Sequence, residues 1–171
     1  YAAVSPIQVP NAVWWELERR LCLVFLGRSH SSSQVHEMVI QGLADAGPDD
    51  PRLELLRGTA ATSRDALYAG DFALLGRAMQ QNTEGQRNLH PALISRDAQQ
   101  VIDIAREHGA LGWKVNGAGG EGGSLTLLSG PSMSARRAML RAIEETNPLF
   151  QNIPIYLSRD GLRVWSSEAP A

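Results

Sequence analysis

The sequence of 171 residues predicts one α+β domain of two layers, an antiparallel sheet with helices packed on one face. Short apolar runs typical of strands stand near residue 23, on both sides of a glycine-rich stretch, and near the C-terminus. Longer amphipathic stretches of helical period separate these runs. The composition, 43% hydrophobic and 20% charged, is sufficient for a buried core and excludes a disordered chain.

The first elements follow from local patterns. Residues 1–10 alternate apolar and polar side chains up to Pro10 and are predicted to be a lead-in strand or the tail of a preceding domain. Residues 20–27, RLCLVFLG, predict a buried strand closed by Gly27. The Ser-rich segment after it supplies candidate N-caps for a helix. The apolar residues of that helix recur at helical spacing: Val35, Met38, Val39 and Leu43.

Three more helices are predicted in the middle of the chain. Two are consecutive and are separated by a break at Gly70. Pro91 then marks a turn because it disfavours helical geometry at His90. Ser95 is the expected N-cap of the third helix, which continues through Glu107.

The last part of the chain predicts two hairpins around a helix. WKVNG and SLTLLSG are strand-like and flank the glycine-rich stretch, and IPIYLS and LRVWS surround an Asp160-Gly161 turn signal. Ser132 or Ser134 opens the helix between them. Its expected apolar face is Met139, Leu140 and Ile143. The order strand, helices, two strands, helix, two strands favours a ferredoxin-like arrangement.

Charge and cysteine content exclude several functional classes. The net charge of −2 lacks the basic excess of a nucleic-acid-binding protein, so no nucleic acid is expected as a partner. Cys22 is the single cysteine, which excludes an internal disulfide, and no apolar run approaches the length of a membrane span. His30 and His36 lack further ligands at suitable spacing, so no metal site is predicted. A cytoplasmic protein with no membrane partner is the expectation.

The glycine-rich stretch GAGGEGGS is the strongest local signal for chemistry. Dense glycine permits positive φ and can turn successive N–H groups toward an anion, so a nucleotide or phosphate loop is predicted at Gly117, Ala118, Gly119, Gly120, Glu121, Gly122 and Gly123. The dinucleotide and Walker patterns fit only superficially, because both require a helix after the loop and a strand-like run follows here. A flexible hairpin turn is the alternative.

Three stretches together resemble the GHMP kinases, the family of galactokinase, homoserine kinase and mevalonate kinase. GALGWKVNGAGGEGGSLTLL resembles the third conserved motif of that family, with Lys114 at a position where members often carry lysine. LVFLGRSHSSSQVH resembles the heptose-phosphate and related sugar-kinase branch. GDFALLGRAMQQNTEGQRNLHP is similar to a helix of the family that ends shortly before a Leu-x-Pro turn.

The resemblance concerns the C-terminal half of these kinases. It implies that residues 11–171 form a GHMP kinase C-terminal-type domain, whose partner is an N-terminal kinase half in the same chain or in a separate subunit. That other half carries the nucleotide-binding motif and the catalytic residues of the family. No catalytic residue is therefore expected in this chain, and ATP and Mg2+ are expected to bind mainly to the other half. The start at Tyr1, without an initiator Met, fits a piece of a longer chain.

The resemblance also implies the substrate, a sugar or sugar phosphate that receives a phosphoryl group on a hydroxyl. The residues expected to contact it are Arg28, His30, Ser31, Ser32, Ser33 and Arg87. Helix capping by the serines and a helix-dipole role for Arg87 are the structural alternatives. Glu121 departs from the consecutive glycines of the family and either points away from phosphate or helps to bind a metal or a sugar hydroxyl.

A second hypothesis for the whole chain is a non-catalytic module that binds a ligand or docks to a subunit, a role in which ferredoxin-like domains are also found. The presence of the N-terminal half distinguishes it from the kinase hypothesis.

Overall fold

The computed structural model describes residues 6–28, 32–47, 49–160 and 164–165, the side chains of residues 32–34 excepted. Its strands are β1 (Leu21–Phe25), β2 (Gly112–Val115), β3 (Ser124–Leu128) and β4 (Gln151–Ile153). Its helices are α1 (Asn11–Arg20), α2 (Ser32–Gly42), α3 (Pro51–Ala69), α4 (Phe72–Leu89), α5 (Arg96–Glu107) and α6 (Met133–Thr146). A single 3₁₀ turn, Pro91–Leu93, precedes α5.

The four strands form one antiparallel sheet in the order β2-β3-β1-β4. The central strand β1 pairs with β3 from Leu21 opposite Leu128 to Phe25 opposite Ser124. This is the strand order of a ferredoxin-like fold, in which the first and third strands lie side by side. The predicted α+β class and antiparallel sheet are confirmed.

One face of the sheet carries the main core. Alternate residues of the central strands, among them Val24, Leu125 and Leu127, are fully buried against α5 and α6. The buried residues of α6 are the three that its periodicity predicts: Met139, Leu140 and Ile143. Ser95 caps α5 by accepting a hydrogen bond from the N–H of Ala98 (3.1 Å), and the predicted helix boundary is confirmed.

Helix α4 lies along the outer edge of β2. The two elements approach so closely that a Cβ on Gly76 would overlap the carbonyl oxygen of Leu111. Three side chains of α4 donate hydrogen bonds to backbone carbonyls on this edge: Gln80 to Leu111 (2.8 Å), Thr83 to Trp113 (3.1 Å) and Gln86 to Gly117 (3.3 Å). The carbonyls that an edge strand leaves without a neighbouring strand are thereby satisfied.

The opposite edge, β4, is short. The outward N–H of Asn152 donates to Glu144 of α6 (3.1 Å), and Pro154 follows the strand. Because proline has no N–H, the ladder with β1 ends there. The predicted strand IPIYLS is therefore wrong beyond Ile153, since residues 154–158 form no strand. Of its expected hairpin partner, residues 162, 163 and 166 lie outside the described residues, as does Gly161 of the turn.

Helix α1 has no counterpart in the sequence-based expectation. Pro10 precedes it without a side-chain cap, and none of its residues is fully buried. Ion pairs one turn apart support it instead, because the carboxylate of Glu16 bonds both Arg19 and Arg20. Residues 6–10, the described part of the predicted lead-in strand, form neither helix nor strand. Among the described helices, none is long and apolar enough to cross a membrane.

Candidate functional site

The glycine-rich loop between β2 and β3 has the backbone that its composition predicts. All five of its glycines have positive φ: Gly117 (60°), Gly119 (62°), Gly120 (86°), Gly122 (114°) and Gly123 (76°). Side chains with a Cβ rarely adopt this region, so the density of glycine is required by the path of the loop.

Two backbone contacts fix this loop. The N–H of Gly120 donates to the carbonyl of Leu93 (3.1 Å), and the N–H of Gly123 donates to the carbonyl of Arg28 (2.9 Å). A Cβ on Gly119 would overlap the same Leu93 oxygen. The loop is thus anchored to the turn before α5 and to the exit of β1, which argues against a free hairpin turn.

The base of the loop is also held by polar side chains. Asn116 donates to the hydroxyl of Ser124 (3.1 Å) and accepts from the hydroxyl of Thr126 (3.0 Å), which ties β2 to β3. Lys114 lies in β2, close to the glycine-rich loop. It is half-buried and donates through Nζ to the carbonyl of Val115 (2.9 Å). Burial lowers the pKa of the Lys114 ammonium.

A cavity of about 150 Å3 joins three separate parts of the chain. Arg28 enters it from the exit of β1 and Glu121 from the glycine-rich loop, and the start of α5 completes the lining with Ser95, Arg96 and Asp97. The two residues that sequence patterns singled out, Arg28 and Glu121, are therefore brought together. The contribution of α5 was not predicted, although its cap at Ser95 was the available signal.

The cavity combines both signs of charge. The guanidinium groups of Arg28 and Arg96 and the N-terminus of α5 favour an anion such as phosphate or carboxylate. The carboxylates of Asp97 and Glu121 can accept hydrogen bonds from hydroxyl groups. A ligand with an anionic group and several hydroxyls matches this set of donors and acceptors.

The remaining predicted substrate residues are placed as follows. His30 and Ser31 lie outside the described residues, as do the side chains of Ser32 and Ser33, whose backbones begin α2. Arg87 donates to Glu84 of its own helix (3.2 Å) and to Gln99 of α5 (2.7 Å). Its guanidinium therefore connects α4 to α5, a role that the sequence did not indicate.

Two other chemical features bear on the site. No group of three or more His, Cys, Asp or Glu side chains suited to a metal ion occurs in the described part of the chain. Cys22 is fully buried in the core, and burial raises the pKa of its thiol, against the opposing effect of the nearby Arg136. Such a thiol is a poor nucleophile.

Comparison with known proteins relates this fold to one family. The family model described as GHMP kinases C terminal matches residues 63–146. No curated protein sequence matches the chain significantly. A mevalonate kinase from L. major, solved in complex with R-mevalonate, shares 25% identity with a TM-score of 0.68, over 86% of this chain and 44% of its own.

Two further solved structures share the fold at lower identity. A homoserine kinase from Cytophaga hutchinsonii has 17% identity and a TM-score of 0.54, over 75% of this chain and 37% of its own. A D-glycero-D-manno-heptose 1-phosphate kinase from Bacteroides thetaiotaomicron has 20% identity and a TM-score of 0.50, over 88% and 38%. The chain thus spans less than half the length of these kinases.

The family match over residues 63–146 and the shared fold together confirm the resemblance inferred from the sequence: the chain resembles the GHMP kinases and has the fold of their C-terminal domain.

Proposed function

We propose that this chain is the C-terminal half of an ATP-dependent kinase that phosphorylates a hydroxyl of a sugar or sugar phosphate. The domain runs from residue 11 to residue 171, and residues 1–10 belong to the connection with an N-terminal half. In this proposal the chain contributes the glycine-rich loop and part of the acceptor pocket, and the complete enzyme acts in the cytoplasm.

The observation that carries the proposal is the meeting of Arg28 and Glu121 in one cavity at the start of α5. The contact from Gly123 N–H to Arg28 carbonyl couples the two segments at 2.9 Å, so the phosphate-facing loop and the acceptor-facing residue form one unit. Phosphoryl transfer depends on placing donor and acceptor together and neutralising charge, for which such a unit is suited.

The loop fits an ATP phosphate only in part. The N–H groups of Gly119, Gly120 and Gly123 already donate within the protein, so phosphate contact would come from the other N–H groups of the loop, those of Gly117, Ala118, Glu121 and Gly122. ATP would supply the phosphoryl group, and Mg2+ would neutralise its phosphates with ligands mainly from the N-terminal half. From this chain, Arg28 and Arg96 would orient an anionic group of the acceptor, and the carboxylates would orient its hydroxyls.

The acceptor assignment is tested in the complete kinase, this chain together with its N-terminal half, by measuring ATP-dependent phosphorylation of hexoses, heptoses and their phosphates. Arg28→Ala is expected to raise KM for the acceptor about 10- to 100-fold, the loss of one charged hydrogen bond, and to leave KM for ATP unchanged. The matched control is Arg64→Ala, which removes an exposed guanidinium of α3 that pairs with Asp65. It should change neither constant.

Two results would contradict the proposal. A raised KM for ATP with normal acceptor binding in Arg28→Ala would place this residue on the nucleotide instead. No phosphorylation of any tested acceptor by the unmodified complete protein would favour the non-catalytic ligand-binding module. Glu121→Gly addresses the remaining member of the cavity: unchanged dependence on ATP, Mg2+ and acceptor would remove Glu121 from the site.

A further inference from the structure

Large side chains are exposed together in a groove beside α1. The groove has a volume of about 330 Å3 and lies between α1, the end of β4 and the start of α6. Three of its lining residues are large and exposed: Trp15 (64%), Ile153 (36%) and Tyr156 (85%). We call this surface the α1 groove. It is separate from the cavity at Arg28, which lies at the other end of β1.

The backbone segment that carries Tyr156 is anchored to α1. Pro154 ends the β1–β4 ladder, and the chain then crosses to α1, where the N–H of Leu157 donates to the carboxylate of Glu18 (2.8 Å). This bond fixes the segment that carries Tyr156. Trp15 and Glu18 are three residues apart on α1 and so lie on the same side of the helix. A fixed apolar surface loses little conformational entropy on binding.

The exposed aromatic area of the groove is comparable to that of known interaction sites. A Tyr or Trp side chain buries about 150–250 Å2 of surface when another protein covers it. Trp15 and Tyr156 alone can therefore contribute about 300 Å2 of buried surface to an interface. A stable interface buries about 800 Å2 on each partner, and exposed patches of a few hundred Å2 commonly mark interaction sites. The groove therefore supplies the apolar centre of an interface but not its whole extent.

A positively charged side chain, Arg136, lies beside this apolar centre. Arg136 lines the groove and donates through its terminal nitrogen to the carbonyl of Leu21 (3.3 Å), and its Nε is buried. Arg19 lies near it but is paired with Glu16. The complementary surface would be apolar and aromatic, with a carboxylate opposite Arg136.

We infer that the α1 groove is the docking surface for the N-terminal half of the kinase. The inference rests on the proposed function and on the lengths of the matched kinases. This chain covers 44% of the mevalonate kinase, so that kinase is more than twice as long as the part that this chain matches. A kinase of this fold therefore carries a second body of similar size that must cover some face of this domain. The α1 groove offers exposed aromatic side chains on α1 and on a segment whose backbone is hydrogen-bonded to α1, which suits a permanent interface.

Hydroxyl-radical footprinting of the complete kinase tests this inference directly. In this chain Trp15 and Tyr156 are more exposed than Tyr68 of α3, which is 52% exposed and serves as the internal control. Docking should invert that order, so that Trp15 and Tyr156 are modified about fivefold more slowly than Tyr68, as expected for side chains at the centre of an interface. Modification as fast as that of Tyr68 would overturn the inference.

Substitutions provide a second, independent measurement. Trp15→Ser combined with Tyr156→Ser should separate the thermal unfolding of the complete kinase into two transitions, whereas Tyr68→Ser should leave one. A single transition in both variants would count against docking at this groove. The footprinting is also repeated at a dilution where the kinase contains only one copy of each half. If Trp15 and Tyr156 lose their protection there, a second copy of the kinase covers the groove and the inference is wrong.

These measurements need no turnover, so they separate this inference from the proposed function. Protection of Trp15 and Tyr156 in a protein that phosphorylates no acceptor would uphold docking and reject the kinase proposal. An active kinase with Trp15 and Tyr156 freely modified would do the reverse.

Discussion

The hydrogen bond between α4 and the edge of β2 can be tested at Thr83. Thr83 is fully buried, and its single hydroxyl proton is shared between the carbonyls of Met79 (3.2 Å) and Trp113 (3.1 Å). Thr83→Val preserves the shape of the side chain but removes the donor. The Met79 carbonyl retains its helical partner, whereas the Trp113 carbonyl would be left buried without one. An unsatisfied buried carbonyl costs about 1–3 kcal/mol, so Thr83→Val should lower the free energy of unfolding by that amount.

The assay is urea or thermal unfolding followed by tryptophan fluorescence. For a protein of this size the expected loss corresponds to a fall in Tm of about 3–9 °C. Thr62→Val is the matched control, because the Thr62 hydroxyl also donates one turn back, to Gly58 (3.0 Å), but is accessible to water. It should change stability by less than about 0.5 kcal/mol. Equal stability of Thr83→Val and the unmodified protein would refute the argument that α4 satisfies this strand edge.

Two further predictions concern the loop and a helix cap. Gly119→Ala should destabilise the protein by well over the roughly 1–2 kcal/mol expected of its positive φ, because the new Cβ would overlap the Leu93 carbonyl. Gly117→Ala places its Cβ in open space and should cost only the roughly 1–2 kcal/mol of the positive φ. Equal losses of unfolding free energy in the two variants would contradict this. Asp50 is the N-cap of α3, and the Arg52 side chain and N–H hold the pKa of its carboxyl at about 2, below the value near 4 of an unfolded chain. The stabilisation that this lowered pKa provides should be complete above pH 4 and decline as the pH falls toward 2. The difference in unfolding free energy between the unmodified protein and Asp50→Asn should therefore shrink between pH 4 and pH 2 and stay constant above pH 4.

The elements that could be predicted from sequence are those whose type and bounds depend on their own residues. The apolar run of β1, the Ser95 cap of α5 and the apolar face of α6 each combine a strong local signal with burial, and the structure confirms all three. Helix α1 was missed because it buries no residue completely and starts without a side-chain cap. Its signal was present in the Glu16–Arg20 spacing, which charge pairs on a helix require.

The candidate site was predicted only in part, because its members come from distant parts of the chain. Arg28 and Glu121 were singled out from separate motifs, and their shared cavity depends on the pairing of β1 with β3. The position of Arg96 in this cavity could not be predicted, because the sequence does not show which elements lie beside the start of α5. For Arg87, in the last turn of α4, the sequence suggested either a ligand contact or a complement to the helix dipole, and the structure gives it Glu84 and Gln99 as partners.

The way in which both sheet edges are closed limits how this domain can meet another protein. Side chains of α4 donate to the carbonyl of Trp113 in β2 and to that of Leu111 just before it, and at β4 the outward N–H of Asn152 is bonded to Glu144 and Pro154 ends the strand. Among the described residues both edges are therefore poor templates for a foreign strand, which disfavours edge-to-edge aggregation. Recognition of any partner must then proceed through side-chain surfaces, so its specificity is open to change by single substitutions without alteration of the backbone.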